Sequence, residues 1–315
     1  MKLTQLPAVA ALGGGHGLYA SLSALRRITD RLTAIVTVAD DGGSSGRLRQ
    51  EFGCLPPGDL RMALAALCDD DVEGRLWADV LQSRFGGTGP LAGHAIGNLL
   101  IAGLWQRLGE PVAGLDMVGR LLRTHGRVLP MSAVPLTIEA DVVGLLPDAP
   151  DETSVLRGQA TVAKTSGLVT NVRLDPGSPP AYPEAVEAIM AADVVVIGPG
   201  SWFTSVIPHL LVPDLAEALI TTGAKRILIL NMGAADETDG FTPWQHIEVL
   251  AEHAPRLRLD AVLADPRYVG HDRRLATYVA GLGGVVHLAR MGMRDGSARH
   301  DPLLLASALA DLLDL

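Results

Sequence analysis

Short apolar runs ending in glycine or acidic turns alternate along the chain with segments of helical period, the pattern of a parallel sheet wrapped by helices. Runs at 8–12, 34–38, 194–197, 227–230, 261–263 and 285–288 are nearly continuous Val, Ile, Leu and Ala, as strands covered on both faces should be. Helical spacing predicts helices at 17–27, 59–68, 94–108, 183–191, 213–222, 243–253 and 302–313. Within 94–108, Ile96, Leu99, Leu100, Gly103 and Leu104 share one face and no charge precedes Arg107, so this helix is expected to be central and largely buried.

The period changes in the middle third. Segments 136–143, 154–164 and 168–174 alternate polar and apolar residues between Gly and Ser turns, which predicts a small antiparallel excursion from the parallel sheet. The expected fold class is α/β, three layers around a mostly parallel sheet. It is read as one domain, 1–315, with a β-rich insertion at about 127–178. The proline-rich stretch 175–183 reads as a semi-rigid connector.

Composition narrows the class. With 315 residues, 48% hydrophobic, and two cysteines, the chain can bury a large core and is neither a disordered segment nor a disulfide scaffold. The net charge of −9, with basic residues scattered along the chain, argues against a nucleic-acid partner. Lysine occurs only at Lys2, Lys164 and Lys225, so a phosphate ligand would be held by guanidinium forks and backbone amides. Cys54 and Cys68 show neither zinc nor redox spacing, and a reduced, cytoplasmic location is the simplest reading. The uncharged stretches 86–106 and 194–213 are long enough to span a membrane, but Pro90, His94 and Asn98 interrupt the first and Pro199, Pro208 and Pro213 the second. No membrane span is expected. Met1-Lys2 and the apolar 6–12 faintly imitate a signal peptide, yet a glycine turn stands where a cleavage site belongs, so no targeting segment is read.

Five segments carry candidate chemistry. In the first, a strand runs into Gly13, Gly14, Gly15, His16 and Gly17 and then a helix, a geometry that lets a diphosphate approach helix-end amides. It is not a full GxGxxG, because Leu18 takes the last glycine's place. In the second, Asp40 and Asp41 precede Gly42, Ser44, Ser45, Arg47 and Arg49. Carboxylates beside an amide-rich loop suit either Mg²⁺ held with substrate phosphates or a general base. The third is Asp59, placed as an N-cap, with Arg61 behind it. The fourth, His94 and Asn98, opens the apolar helix with a polar pair that faces a pocket or satisfies buried carbonyls. The fifth is a second strand ending in Gly198, Pro199, Gly200 and Ser201, with Ser201 placed to cap the next helix. Two such loops at strand ends could face one cleft, and the loop 231–241 could close it. GxxxxGK[ST], GxSxG, HExxH and the kinase set are all missing, and His209, His246, His271, His287 and His300 default to core or surface.

The strings Leu12-Gly13-Gly14-Gly15-His16-Gly17-Leu18, 36–49, 56–61, 93–100, 196–208 and Arg299-His300-Asp301-Pro302 resemble the YvcK proteins, known as gluconeogenesis factors, in the superfamily that includes the 2-phospho-L-lactate transferase CofD. The resemblance implies a Rossmann-related, CofD-like fold, a cytoplasmic location and binding of UDP-sugars such as UDP-N-acetylglucosamine. It further implies a part in cell shape and wall synthesis during gluconeogenic growth, and with it a cell-wall or cell-shape protein as partner. No cofactor is read as required, Mg²⁺ is expected beside the ligand from the carboxylates of the second segment, and a homodimer is common for folds of this type. The chain departs from the family pattern at His16, where many relatives have Thr, and in 232–238, where relatives often carry Gln-Pro-Gly-Glu-Thr. Two functions follow. In a regulatory binder, the loops Gly13–Gly17 and Gly198–Ser201 hold the diphosphate, Asp40 and Asp41 contact ribose or metal, and Asn98 orients base or sugar. In a CofD-like transferase, which moves a phospholactyl-type group to a deazaflavin-like acceptor, Asp40 or Asp41 holds Mg²⁺ or acts as base, and the acceptor ring needs an apolar slot near Trp202 and Phe203.

Overall fold

Apolar strands with no polar face must be covered on both sides, and the molecule meets that demand with a seven-stranded sheet flanked by helices. The computed structural model describes residues 6–233, 236–270 and 272–315. Met1-Lys2 of the signal-like start, Ala234 and Ala235 of the divergent loop, and His271 lie outside the described residues.

In spatial order the sheet is β10 (Val285–Leu288), β9 (Ala261–Ala264), β8 (Lys225–Ile229), β7 (Val194–Ile197), β1 (Val9–Gly13), β2 (Leu32–Val36) and β3 (Arg127–Pro130), every neighbouring pair parallel. β1 and β7 are buried at every position. From β1 the chain order runs outward one way through β2, and from β7 it runs outward the other way through β8. A crevice opens at such a switch point, beyond the carboxyl ends of the two central strands.

Helices α1 (Gly15–Leu25), α2 (Gly43–Phe52), α3 (Gly58–Ala66), α4 (Val72–Gln82), α5 (Ile96–Leu108) and α6 (Pro111–Leu122) fill the first half. The second half adds α7 (Gln159–Val162), α8 (Pro183–Met190), α9 (Pro213–Thr221), α10 (Pro243–His253), α11 (Pro266–Val269), α12 (Arg273–Gly281) and α13 (Pro302–Leu313). α5 begins at Ile96, so His94 precedes the helix instead of opening it. The segment 43–52, expected as a loop, is helical, and α4, α6 and α12 are helices that hydrophobic period alone did not predict. Each of these three is started by an acidic N-cap, Asp71, Glu110 and Asp272 respectively, that accepts amide hydrogen bonds.

The antiparallel excursion is a three-stranded sheet in the order β5 (Ser154–Arg157), β4 (Thr137–Val143), β6 (Leu168–Asp175). Its expected start at about residue 127 is corrected. Residues 127–130 pair in parallel with β2, Thr33 opposite Arg127, and form the edge of the main sheet. After β7, Trp202–Val206 forms a single π-helical turn and Ile207–Leu211 a 3₁₀ turn, where the sequence predicts an ordinary helix start. Ser201 makes no capping hydrogen bond. Among the described residues no single helix is long and apolar enough to cross a membrane, and the apolar pair Trp202–Leu211 and Pro213–Thr221 is bent by 80°.

Candidate functional site

The loops after β1 and β7 are pressed together at the switch point. A methyl group at Gly17 would overlap the Pro199 carbonyl, so only glycine lets the first turn of α1 lie against the 198–200 turn. The pair is cross-braced: Ser21 Oγ donates to Gly198 O at 2.9 Å, and Thr37 Oγ1 to Gly13 O at 3.1 Å. Asn231 clamps Gly200 from the next strand end, accepting from its N–H and donating to its carbonyl, each at 2.9 Å. The first turn of α1 carries no acidic residue and its N-cap Gly14 no side-chain cap, leaving a positive helix end.

These loops wall a cleft of about 750 Å³. Of the candidates, Gly14, Gly15, His16, Gly17, Asp59, Gly200 and Ser201 line it, whereas Gly13 and Gly198 lie behind, Gly13 fully buried in β1. The 231–241 loop contributes Asn231, Glu237 and Thr238 to the lining, as expected of a loop that closes the cleft, and Tyr19, Gln159, Arg299 and His300 line it as well. Gln159 arrives on the excursion and is tied down by its Nε2 donating to Thr204 O at 3.2 Å.

Arg299 and His300 pair back onto the 291–293 segment, through the Gly292–His300 bridge and Met293 N–H donating to Arg299 O, and that segment is held by Asp265, buried at the start of α11. Its carboxylate accepts from the N–H groups of Met291 and Gly292 at 2.7 and 3.1 Å and from Arg267 Nη2 at 3.0 Å. Burial alone would raise this acid, but those donors hold it well below the usual carboxylate range. His300 Nε2 donates to Leu230 O at 3.1 Å, and burial outweighs that carbonyl and lowers the imidazole to about 4, so it is neutral at pH 7. His300 is thus a cleft residue, against the default reading, while His209 and His246 are buried core residues.

At the inner end of the cleft, Asp59 accepts the Gly15 N–H. It stands inside the first turn of α3, whose N-cap is Pro57, so it caps α1 across space and not its own helix. Burial first, then the charge of Asp40, raises Asp59 to about 7, against the Gly15 bond and Arg61. A Cβ at Gly58 would stand 2.7 Å from Asp40 Oδ2, which shows how closely Asp40 approaches the start of α3.

The acid pair is therefore Asp40 and Asp59, not Asp40 and Asp41. Asp41 turns the other way, its Oδ1 accepting the Ala160 N–H at 2.9 Å, and it lines a separate groove with Arg49, Thr137 and Arg157. Asp40 instead accepts from Gly42 N–H at 2.9 Å, just ahead of α2, and like Asp41 it does not line the cleft. Ser44, Ser45 and Asn98 are also outside the cleft, in a buried polar cluster: Asn98 Nδ2 lies 3.0 Å from Ser44 Oγ and 3.5 Å from Ser45 Oγ. Arg47 donates to Ala92 O at 2.8 Å. Among the described residues no group of three or more His, Cys, Asp or Glu is placed to hold a metal ion. Asp40 and Asp59 fit the sparser donor set of Mg²⁺, one or two carboxylates completed by phosphate oxygens and water.

Trp202 and Phe203, the expected aromatic pair, are almost wholly buried. Trp202 sets its ring edge against His246, centroids 5.0 Å apart, and Phe203 packs likewise on Phe241 at 6.0 Å.

Comparison with known proteins agrees with this architecture. Residues 9–285 match the family described as 2-phospho-L-lactate transferase CofD. A Mycobacterium leprae protein classed as a gluconeogenesis factor is 56% identical, over 96% of this chain and 85% of its own length. The gluconeogenesis factor of Listeria monocytogenes is 34% identical, over 99% of this chain and 98% of its own. The crystal structure of a UPF0052-family protein from Bacillus halodurans superposes with a TM-score of 0.83 at 32% identity, covering 97% of this chain and 99% of that one.

Proposed function

This chain belongs to the gluconeogenesis-factor (YvcK) family of the CofD superfamily, and from that premise we propose that it is a cytoplasmic regulatory protein that binds UDP-sugars such as UDP-N-acetylglucosamine. Its output is read by the machinery of cell shape and wall synthesis during growth on gluconeogenic carbon, through a cell-wall or cell-shape protein partner.

The observation that carries this reading is the glycine-walled cleft at the β1–β7 switch point, of a size typical for small-molecule sites. A diphosphate fits where the first-turn amides of α1 beyond the one Asp59 accepts, and the Gly200–Ser201 turn, present backbone, with Arg299 lining the same cleft. Asp59, which lines the cleft, would hold Mg²⁺ against that diphosphate with Asp40 reaching it from behind the lining, and the ion would neutralise charge there. The transferase alternative needs an apolar slot for a deazaflavin-like ring. Of the two expected aromatics, Phe203 lies outside the cleft lining, and Trp202 borders the cleft with its ring almost wholly buried against His246, so a single ring edge and no open aromatic slot is offered.

Calorimetric titration with UDP-N-acetylglucosamine, GDP and NAD, with and without Mg²⁺, followed by product analysis, tests the proposal. Tight UDP-sugar binding without turnover is expected. Asp40→Asn should reduce the Mg²⁺-dependent part of the affinity by about tenfold, one lost charge contact at about 1.4 kcal/mol, and Asp41→Asn should leave it unchanged. Preference for GDP, or turnover with a phospholactyl donor and a deazaflavin acceptor, would instead make this a transferase.

A further inference from the structure

Beyond the acid pair lies a second polar cluster that the cleft does not use. Arg61, in the first turn of α3, is 5% exposed, and among the described residues its guanidinium makes no hydrogen bond or ion pair. Its Nε is buried without an acceptor. The side chain is wedged against α5, where a Cβ at Gly97 would stand 2.8 Å from Arg61 Cγ. Its strongest charged neighbour is another cation, Arg84, ahead of Asp59 and Asp40, and burial with Arg84 brings the guanidinium down to about 10.

Arg84 and Arg47 reach the same turn from two sides. Arg84 Nη1 donates to Gly93 O and Arg47 Nη2 to Ala92 O, each at 2.8 Å, and carbonyl partners leave both charges unneutralised. His94, 6% exposed, feels burial, Arg47 and Arg84 against Glu51 alone, and is lowered. The N-termini of α2 and α5 meet here at Ser44, whose Oγ lies 2.9 Å from His94 Nδ1 and accepts the Ala95 N–H at 3.4 Å. Neither helix has a side-chain cap or an acidic first turn. Asn98, 1% exposed, holds its Oδ1 in the same cluster without a donor.

A buried guanidinium with neither a hydrogen bond nor an ion pair, set nearer to Arg84 in effect than to Asp59 and Asp40 and close to two positive helix ends, is costly unless an anion completes it. We propose that Arg47, Arg61, Arg84 and the start of α5 form a second site, for a small oxyanion group, phosphate or carboxylate, separated from the glycine-walled cleft by the Asp40–Asp59 pair. Arg61 supplies the buried fork, Arg47 and Arg84 the mouth, and Asn98 Oδ1 accepts from a hydroxyl on the anion. The site stands whether or not the cleft takes a UDP-sugar.

Thermal unfolding at constant ionic strength, with inorganic phosphate, malonate or chloride as the added anion, tests this. At a tenfold excess over Kd, phosphate or malonate should raise Tm by about 2 °C relative to chloride, and the stronger of the two identifies the preferred group. Arg61→Met should abolish that rise while being no less stable than the parent without anion, because it removes an unpartnered buried charge. Arg84→Gln, at an exposed position, should weaken the anion about tenfold and decides the matter if Arg61→Met fails to fold. Arg299→Gln, in the cleft, should keep the full response. Equal rises in all three salts, a full response in folded Arg61→Met or in Arg84→Gln, or its loss in Arg299→Gln would overturn the proposal. None of these readouts depends on UDP-sugar binding.

Discussion

At the scale of single residues, adjacent carboxylates take opposite roles. Asp40 and Asp41 read as a pair because they are neighbours in sequence, but successive residues leaving a strand point to different sides, and only Asp40 meets Asp59. No spacing rule reveals that Asp59 bonds an amide of α1 more than forty positions earlier, and its local reading as a helix cap concealed that role. Asp59 also predicts a pH dependence. Its acid is raised from an ordinary 3.8 to about 7, so between those values the folded protein binds a proton that the unfolded chain does not. Stability contributed by this group is then full below pH 4, falls as pH rises toward 7, and is level above. Asp59→Asn should match the parent at pH 4 and exceed it at pH 8. Even one pH unit of that displacement, about 1.4 kcal/mol, is worth about 2 °C in Tm. Thermal unfolding of both proteins across pH 4–8 checks it, and a constant difference across that range would reject the assignment.

Among the elements, the strands were readable because burial on both faces leaves a run of Val, Ile, Leu and Ala that neither a half-exposed strand nor a surface helix would carry. α2 was hidden because Gly43-Ser44-Ser45-Gly46 has the composition of a turn. The helix forms there with help from outside it, from Asn98 and Ala95 donating to Ser44. α12 was hidden by its narrow stripe, in which only Leu275 and Val279 are buried. The glycine loops were recognised, and their geometry explains which glycine matters. Gly17→Ala should drive a methyl into the Pro199 carbonyl, lowering stability by about 1–3 kcal/mol and ligand affinity at least tenfold. At Gly15, with φ of +55° and open space around a Cβ, alanine should cost only backbone strain, about 1 kcal/mol. Denaturant unfolding and calorimetry on the two variants would show whether the ranking holds.

For the molecule as a whole, the parallel sheet and its antiparallel excursion followed from period, whereas the outer wall of the cleft did not. The loop from Asn231 was read as a closing segment and does line the cleft, whereas Gln159, Arg299 and His300 converge from distant parts of the chain and only the folded topology brings them there. That topology also sets an order of events during synthesis. β1 emerges first but lies between β2 and β7, and its register with β7 pairs Val9 with Val194. At about 5–20 residues per second, the ribosome leaves the central strand with an open edge for about 10–40 s. Nascent chains halted at residue 192 should therefore expose β1 to protease, and chains halted some tens of residues beyond β8 should protect it. Because Arg299 and His300 complete the cleft, a ligand cannot rescue the first half while it waits; protection over that interval falls to whatever shields exposed strand edges at the ribosome.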